Sequence, residues 1–544
     1  MSAGVFRPAA RAYVEKVGGA KGHSRVRDAL GREKLLLYRE GLNGSVLVTR
    51  DTLARNTILR INGKVDASDT DMLTQVVSGL VPAAIADSGA RTLVIGQGSG
   101  ITLAAVLAAG AGRTDLAELE PAVIQGSRFF HTAGRDPLDD PRVRVILEDG
   151  RTVLAHSHER FGLVVSEPSN PWMAGVHNLF TLDFYRLVRR HLAANGVFAQ
   201  WIQLYEISPD TFRSILGAFL KVFPNGQAYA ASGRADLVLV ACDSSRALSL
   251  ARLSEPRVAP LLNRAKLLGP DALAAFWVGS FDSLQALAKG ADLNTDDHRI
   301  AEYRAPRDLI ERPRVNGINT ALTDLLPRGH WHDARGTFAE WGEDAWFLAR
   351  GRQLARLGYF DVARAVAADA RSQGQETVAA TLDRAVDDEQ AGQAVANLLP
   401  PARDAAAAGR LDQARDLLHQ ASLAAPNNGR VWILLAEEQR QLGENDAALV
   451  SLDRALAVGT VAECHDAHVM AGLIQIARGR PHDAAACFAL ARGLARHDTL
   501  SYAFEARARL DAGDAAGAAA VLRAGLAFAP GDARLLRVAA AMGR

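Results

Sequence analysis

Three groups of residues have the types and spacing that chemistry needs. The first is Gly96-Gln97-Gly98-Ser99-Gly100, which follows the apolar run Thr92–Ile95 and precedes an apolar helical stretch. Glycines there let the backbone turn sharply and approach a ligand with no side chain in the way. A dinucleotide fingerprint needs a further glycine at position 101, where this chain has Ile101. The GxGxG spacing is the form usual for cofactors of the S-adenosylmethionine type, which have no pyrophosphate to cradle. The second group is a pair of acids at strand ends. Glu118 lies 18 residues past Gly100, where a carboxylate can accept hydrogen bonds from both hydroxyls of a ribose. Asp149-Gly150 follows the next apolar run, where a carboxylate could take an adenine amino group. The third group is Ser166-Glu167-Pro168-Ser169-Asn170-Pro171-Trp172. Glu167 there can take a proton from an amine, with its pKa set by burial. The bland reading is a proline-shaped loop in which Glu167 caps a helix.

Other candidates carry less. Trp172 and Trp201 either line an amine pocket or pack against a sheet. His330-Trp331-His332-Asp333 has no third ligand at helical spacing, so it reads as a solvated connector and no metal is expected. His156 and His158 read as surface residues. Asp296-Asp297-His298 either reaches the site from a cap or caps a helix after Asn294.

The elements that must position these residues come next. From about residue 90 the pattern alternates strand and helix: 92–96, 114–120, 142–147, 161–167, 196–202 and 237–242 are short apolar strands. Crossovers of 10–15 residues between such strands predict a parallel sheet covered on both faces. Upstream, three apolar runs over 35–65 predict a β-meander, with Asn43-Gly44 and Asn62-Gly63 as its turns. The domain reading is an N-terminal extension over 1–34, the meander over 35–85 and a Rossmann-like nucleoside-binding domain over 86–250. A cap or linker follows over 251–335, punctuated by Pro256, Pro260, Pro270, Pro306 and Pro313, and a helical domain over 336–544.

The second half repeats itself. Gly409, Gly443, Gly479 and Gly513 are each followed five residues later by Ala414, Ala448, Ala484 and Ala518, and the glycines are 34, 36 and 34 residues apart. That period belongs to the tetratricopeptide repeat, two antiparallel helices per unit. Pro426 and Pro530 each lie 17 residues past their repeat glycine, where a second helix must end. Gly358 with Ala363 is an earlier copy, 51 residues before Gly409 and so out of phase.

Composition narrows the functional class. The 544 residues carry 62 basic and 61 acidic side chains, a formal net charge of +1, which argues against a dedicated nucleic-acid binder. Three cysteines are too few and too scattered for a disulfide framework, so a reducing, cytoplasmic compartment fits. No run of 18 or more apolar residues exists, so no membrane span is expected.

Taken together, the first half resembles the spermidine synthase (polyamine aminopropyltransferase) family. The matching segments are 60–68, Gln75, 93–100, 116–130, 140–150 and 164–171. Residues 166–181 and 293–297 resemble the form of this domain often fused to a membrane domain, and the second half resembles tetratricopeptide-repeat proteins. The resemblance implies an α/β Rossmann-like fold of the class I methyltransferase type behind a β-meander, and a transferase active in polyamine biosynthesis. It implies that Gly96, Gly98, Ser99, Gly100, Gln75, Glu118, Asp149 and Gly150 hold decarboxylated S-adenosylmethionine, Glu118 at the ribose and Asp149 at the adenine. Glu167 then stands at the family's general-base position, with Asn170, Trp172 and Trp201 toward the amine.

The departures from that family are Ser99 and Asn170, each standing where it has an aspartate, and Glu167 in place of its other loop aspartate. Each lost carboxylate removes a partner for a cationic amine, and a buried unpaired ammonium costs several kcal/mol. Two other functions stay open on the same residues: methyl transfer from S-adenosylmethionine itself, and an inactive synthase-like scaffold whose repeats bind a partner protein. A homo-oligomer is also left open.

Overall fold

The computed structural model describes residues 33–53, 55–130, 136–173, 175–231, 235–242, 246–310, 330–495 and 498–542. The chain divides into two compact units between Asp383 and Arg384.

The first unit begins with an antiparallel sheet of β1 (Glu33–Glu40), β2 (Ser45–Asp51), β3 (Thr57–Ile61) and β4 (Lys64–Ser68), in that order. Asn62 and Gly63 both have positive φ, 51° and 78°, the geometry of a primed hairpin turn whose twist suits its strands. β4 is absent from the sequence reading because its pattern is inverted. Lys64 is turned inward at 8% exposure, while Val65, its one large apolar residue, faces out at 41%.

Helix α1 (Met72–Ile85) leads into the second sheet. There β5 (Thr92–Ile95), α2 (Ile101–Ala108), β6 (Thr114–Ala117), α3 (Pro121–Ser127), β7 (Val143–Ile146), α4 (Gly150–His156) and β8 (Phe161–Ser166) alternate. They continue with α5 (Leu182–His191), β9 (Leu192–Gln203), α6 (Pro209–Val222), β10 (Gly226–Ala231), β11 (Asp236–Ala241) and β12 (Trp277–Ser280). The strand order is β12-β10-β11-β9-β8-β5-β6-β7. From β7 to β9 neighbours are parallel, as expected. Beyond β9 the expectation of a parallel sheet fails, because β11, β10 and β12 pair antiparallel. Four residues join β10 to β11, far fewer than a parallel crossover needs. The stretch expected to be a cap or linker supplies β12, the edge strand.

Both faces of this sheet are covered. On one, Tyr185, Phe198, Phe219, Phe223 and Phe281 pack ring against ring, mostly tilted or edge to face, with centroids 5.1–6.2 Å apart. Across the other lies α1, whose Val76, Val77, Leu80 and Val81 are fully buried. α1 and α2 touch at Gly79, where a Cβ would stand 2.5 Å from Ala105 Cβ and 2.7 Å from the Thr102 carbonyl. Any side chain there would push the helices apart. The close approach brings Gln75, one turn earlier, against Thr102.

Helices Glu343–Arg356 and Phe360–Ser372 also belong to the first unit. Arg350, 3% exposed, donates to the carbonyls of Ala274 and Trp277 at 2.8 and 2.7 Å. The expected start of the helical domain at 336 therefore lies inside the first unit. The 51-residue step from Gly358 to Gly409 includes one 32-residue helix, Glu376–Ala407, in place of a helix pair.

The second unit is a series of helices: Leu411–Ala424, Gly429–Gln441, Asn445–Val458, Val461–Ala477, Pro481–Leu494, Thr499–Asp511, Ala515–Phe528 and Ala533–Met542. Gly409, Gly443, Gly479 and Gly513 all have φ between 69° and 83°, which a residue with a Cβ adopts only under strain. Ala414, Ala448, Ala484 and Ala518 are all completely buried. Glycine and alanine thus do what the repeat requires. Among the described residues no helix is long and apolar enough to cross a membrane.

Candidate active site

The chemistry-bearing residues gather at the carboxyl ends of the parallel strands, the edge where open α/β sheets bind ligands. The glycine loop leaves β5 with φ of 93°, 49° and 81° at Gly96, Gly98 and Gly100. A Cβ on Gly96 would lie 2.6 Å from the Glu167 carbonyl. The loop therefore passes directly under the end of β8, and Gly96 must stay glycine for steric as well as conformational reasons.

Glu118 follows β6 and clamps this loop. Its carboxylate accepts from the Gln97 and Glu120 backbone N–H groups, both at 2.9 Å. Burial pushes its pKa up, the two backbone donors oppose this, and Asp66 and Glu120 add to the rise. Asp149 is the N-cap of α4, accepting from the Thr152 N–H at 2.9 Å and its hydroxyl at 3.2 Å. Gly150 packs on Ile95, where a Cβ would come within 2.5 Å.

Ser99, Gln75, Thr102 and Glu167 form one connected group. The Ser99 hydroxyl donates to the Gln75 side-chain carbonyl, and both residues are buried. Thr102 lies 3.2 Å from the Gln75 backbone carbonyl and donates to the Glu167 carboxylate. Burial pushes the Glu167 carboxyl up to about 8, with Asp71 and Asp236 raising it and the Thr102 hydroxyl lowering it. At the glycine loop the chain thus presents a neutral serine–glutamine pair rather than a carboxylate.

Three residues past Glu167, Asn170 is fully buried, and neither atom of its side-chain amide has a hydrogen-bond partner among the described residues. The Tyr205 hydroxyl lies near it. Burial raises that hydroxyl's pKa, as do Asp236, Asp71 and Asp66. Trp201 is buried and donates its indole N–H to Asp236 at 3.0 Å, while Thr74 of α1 donates to the other Asp236 oxygen at 2.8 Å. The face of Trp172 is covered by the Lys64 ammonium, 6.0 Å from the ring centroid.

Sequence reasoning singled out neither Lys64, Asp66, Asp71, Thr102, Tyr205 nor Asp236. They come from β4, the start of α1, α2, the end of β9 and β11. The segment 60–68 had marked only a resemblance, and the inward Lys64 of an inverted strand was its one local signal.

Asp296 does not reach this site. It pairs with Arg151 of α4 and accepts from Thr181, while Asn294 bonds the Phe180 carbonyl and the Ala301 N–H. That motif clasps α4, α5 and the 300–310 helix together. His330 is exposed, 3.4 Å from Asp369. Among the described residues no group of three or more His, Cys, Asp or Glu side chains is placed to hold a metal ion.

Residues 70–233 match the spermine/spermidine synthase domain family, and residues 405–468 match the tetratricopeptide repeat. Polyamine aminopropyltransferase 1 of Streptomyces coelicolor (strain ATCC BAA-471 / A3(2) / M145) is 31% identical over 177 residues, 31% of this chain and 33% of that protein. The polyamine aminopropyltransferase of Sodalis glossinidius (strain morsitans) is 30% identical over 169 residues, 30% of this chain and 58% of that protein. The matched part is thus less than two thirds of the length of either relative. The crystal structure of spermidine synthase from Thermotoga maritima overlays 51% of this chain and 88% of its own, with a TM-score of 0.34 and 15% identity. Residues 70–233 of this chain are a spermine/spermidine synthase domain, and tetratricopeptide repeats follow it.

Proposed function

We propose that the synthase domain transfers an aminopropyl group from decarboxylated S-adenosylmethionine to an amine. The observation that carries this reading is the concentration of carboxylates around one strand edge: Asp66, Asp71, Glu118, Glu167 and Asp236 influence one another or the shared Tyr205 hydroxyl. Both substrates are cations, one a sulfonium and one an ammonium, and an acidic, partly desolvated pocket favours them. In the reaction Glu167, ionised, takes a proton from the acceptor's ammonium, and the freed amine nitrogen attacks the methylene carbon bonded to sulfur. The carbon–sulfur bond breaks, its electron pair stays on sulfur, and methylthioadenosine leaves. The aminopropylated product departs as a secondary ammonium. A carboxyl at about 8 is mostly protonated at neutral pH. An arriving sulfonium favours the charged form and pulls that value down, so donor binding prepares the base.

In this reading Glu118 takes the ribose hydroxyls, Asp149 the adenine, and Gly96, Gly98, Gly100 and Gly150 leave room for the nucleoside. Asn170, Tyr205 and Trp201 bound the acceptor side. The repeats serve a protein partner. One observation favours a second reading, methyl transfer from intact S-adenosylmethionine. The neutral Ser99–Gln75 pair would not repel that molecule's α-carboxylate, as an aspartate would.

The test is to incubate the full chain with each donor and a panel of amines. Release of methylthioadenosine, lost in Glu167→Gln, is expected with the decarboxylated donor. Adenosylhomocysteine from the intact donor would replace the first reading with the second. Neither product with any amine would sink both.

A further inference from the structure

We propose that Lys64 is an ammonium built into the acceptor pocket, and that it restricts the acceptor to amines with a single cationic end. This rests on the acceptor being an amine, and adds which amines it can be. The inverted β4 buries the Lys64 side chain to 10% exposure and that of Asp66 to 8%. The Lys64 ammonium stands 2.5 Å from one Asp66 oxygen, 3.0 Å from the Ser169 hydroxyl and 6.0 Å from the centre of the Trp172 ring. A carboxylate, a hydroxyl and an indole face together are what a protein assembles to recognise an alkylammonium. Here the chain has filled that position itself.

Its place in the site follows from its neighbours. Ser169 lies two residues past Glu167 on the same loop. Asp66 is near enough to influence Glu118 on the nucleoside side and Tyr205 on the acceptor side. The second Asp66 oxygen is buried and has no hydrogen-bond partner among the described residues. A buried acceptor left in that state calls for a donor. Asp66 thus spends one oxygen on Lys64 and the Ser169 hydroxyl, and with its single charge already balanced its other oxygen suits the N–H of a neutral amine rather than a second ammonium. The far ammonium of a diamine would meet Lys64 charge against charge in a partly desolvated pocket, whereas an uncharged tail would not.

The experiment is calorimetric titration of butylamine and of putrescine into the full chain saturated with methylthioadenosine. Wild type, Lys64→Met and Lys64→Arg are compared, with circular dichroism and methylthioadenosine affinity as checks on folding. Wild type should bind butylamine more tightly than putrescine. Lys64→Met keeps the stem and removes the charge, so the ratio should move toward putrescine by tenfold or more, while Lys64→Arg keeps the wild-type ratio. An unchanged ratio in Lys64→Met overturns the proposal, as does a wild type that prefers putrescine. That wild-type comparison decides even if Lys64→Met fails to fold. If no protein binds either amine, the amine-acceptor reading falls too. A shifted ratio without methylthioadenosine release from the decarboxylated donor leaves Lys64 its role and removes the transfer reaction.

Discussion

Glu167 is held uncharged in the free protein by its surroundings, chiefly burial, which lifts it from an ordinary 4.5 to about 8. As a base it must be ionised, so kcat/KM should rise with pH along a limb set by this group. Thr102→Val removes the hydroxyl that opposes the rise and should move that limb to higher pH, while Thr102→Ser should leave it in place. A limb that ignores Thr102 would separate the two residues. The same shift bears on stability. The folded protein holds this proton more tightly than the unfolded chain, so the favourable contribution is complete below 4.5 and is lost as pH rises toward 8. Glu167→Gln cannot titrate, and its melting temperature should fall less than wild type's between pH 5 and pH 9. Glu118→Ala should weaken methylthioadenosine binding by about 1.5–3 kcal/mol, the range for hydrogen bonds to a charged group. Calorimetric titration measures this, and an unchanged Kd in a folded variant would remove Glu118 from the ribose. Both acids were legible because each ends an apolar strand. Asp236 was not: its link to Thr74 spans 162 residues, and nothing local distinguishes it from the other acids of the chain.

Elements constrain one another here through close backbone approach. β5, the glycine loop and β8 meet where the Glu167 carbonyl crosses Gly96, and Gly96 also holds φ at 93°. Gly96→Ala should therefore cost about 1–3 kcal/mol from backbone strain alone and displace Glu167. Thermal melting and methylthioadenosine affinity should both suffer, and a variant unchanged in both would mean that the loop relaxes freely. The parallel half of the sheet was readable because its buried strands are continuous apolar runs. β10 was missed because Gly226–Ala231 holds three alanines and a glutamine, and β12 because Trp277–Ser280 is four residues long. Such strands acquire their identity from the neighbours they pair with, which a local reading does not contain.

Across the whole chain, the repeat period was the most legible feature, since glycine and alanine mark it every 34 to 36 residues. Its beginning was harder to read, because Gly358 and Ala363 serve the same local purpose in a helix pair that belongs to the first unit. The consequence is testable with two fragments. Residues 384–544 keep the buried clusters of the second unit, among them Val395 with Ala421 and Val431, and Ile433 with Leu452 and Ile474. Repeat units depend mainly on their neighbours, so this fragment should be strongly helical by circular dichroism and should melt cooperatively. A fragment from 336 adds Trp346, Phe347 and Arg350, at 1%, 0% and 3% exposure, but lacks the 270–277 backbone that Arg350 bonds. Stripped of that partner, the two aromatics and the guanidinium would be left facing water. The longer fragment should therefore bind a hydrophobic dye and self-associate, while the shorter one stays monomeric in sedimentation. Equal behaviour of the two would mean that the helix pair 343–372 folds with the repeats. A disordered 384–544 fragment would mean that the repeats need the synthase unit to fold.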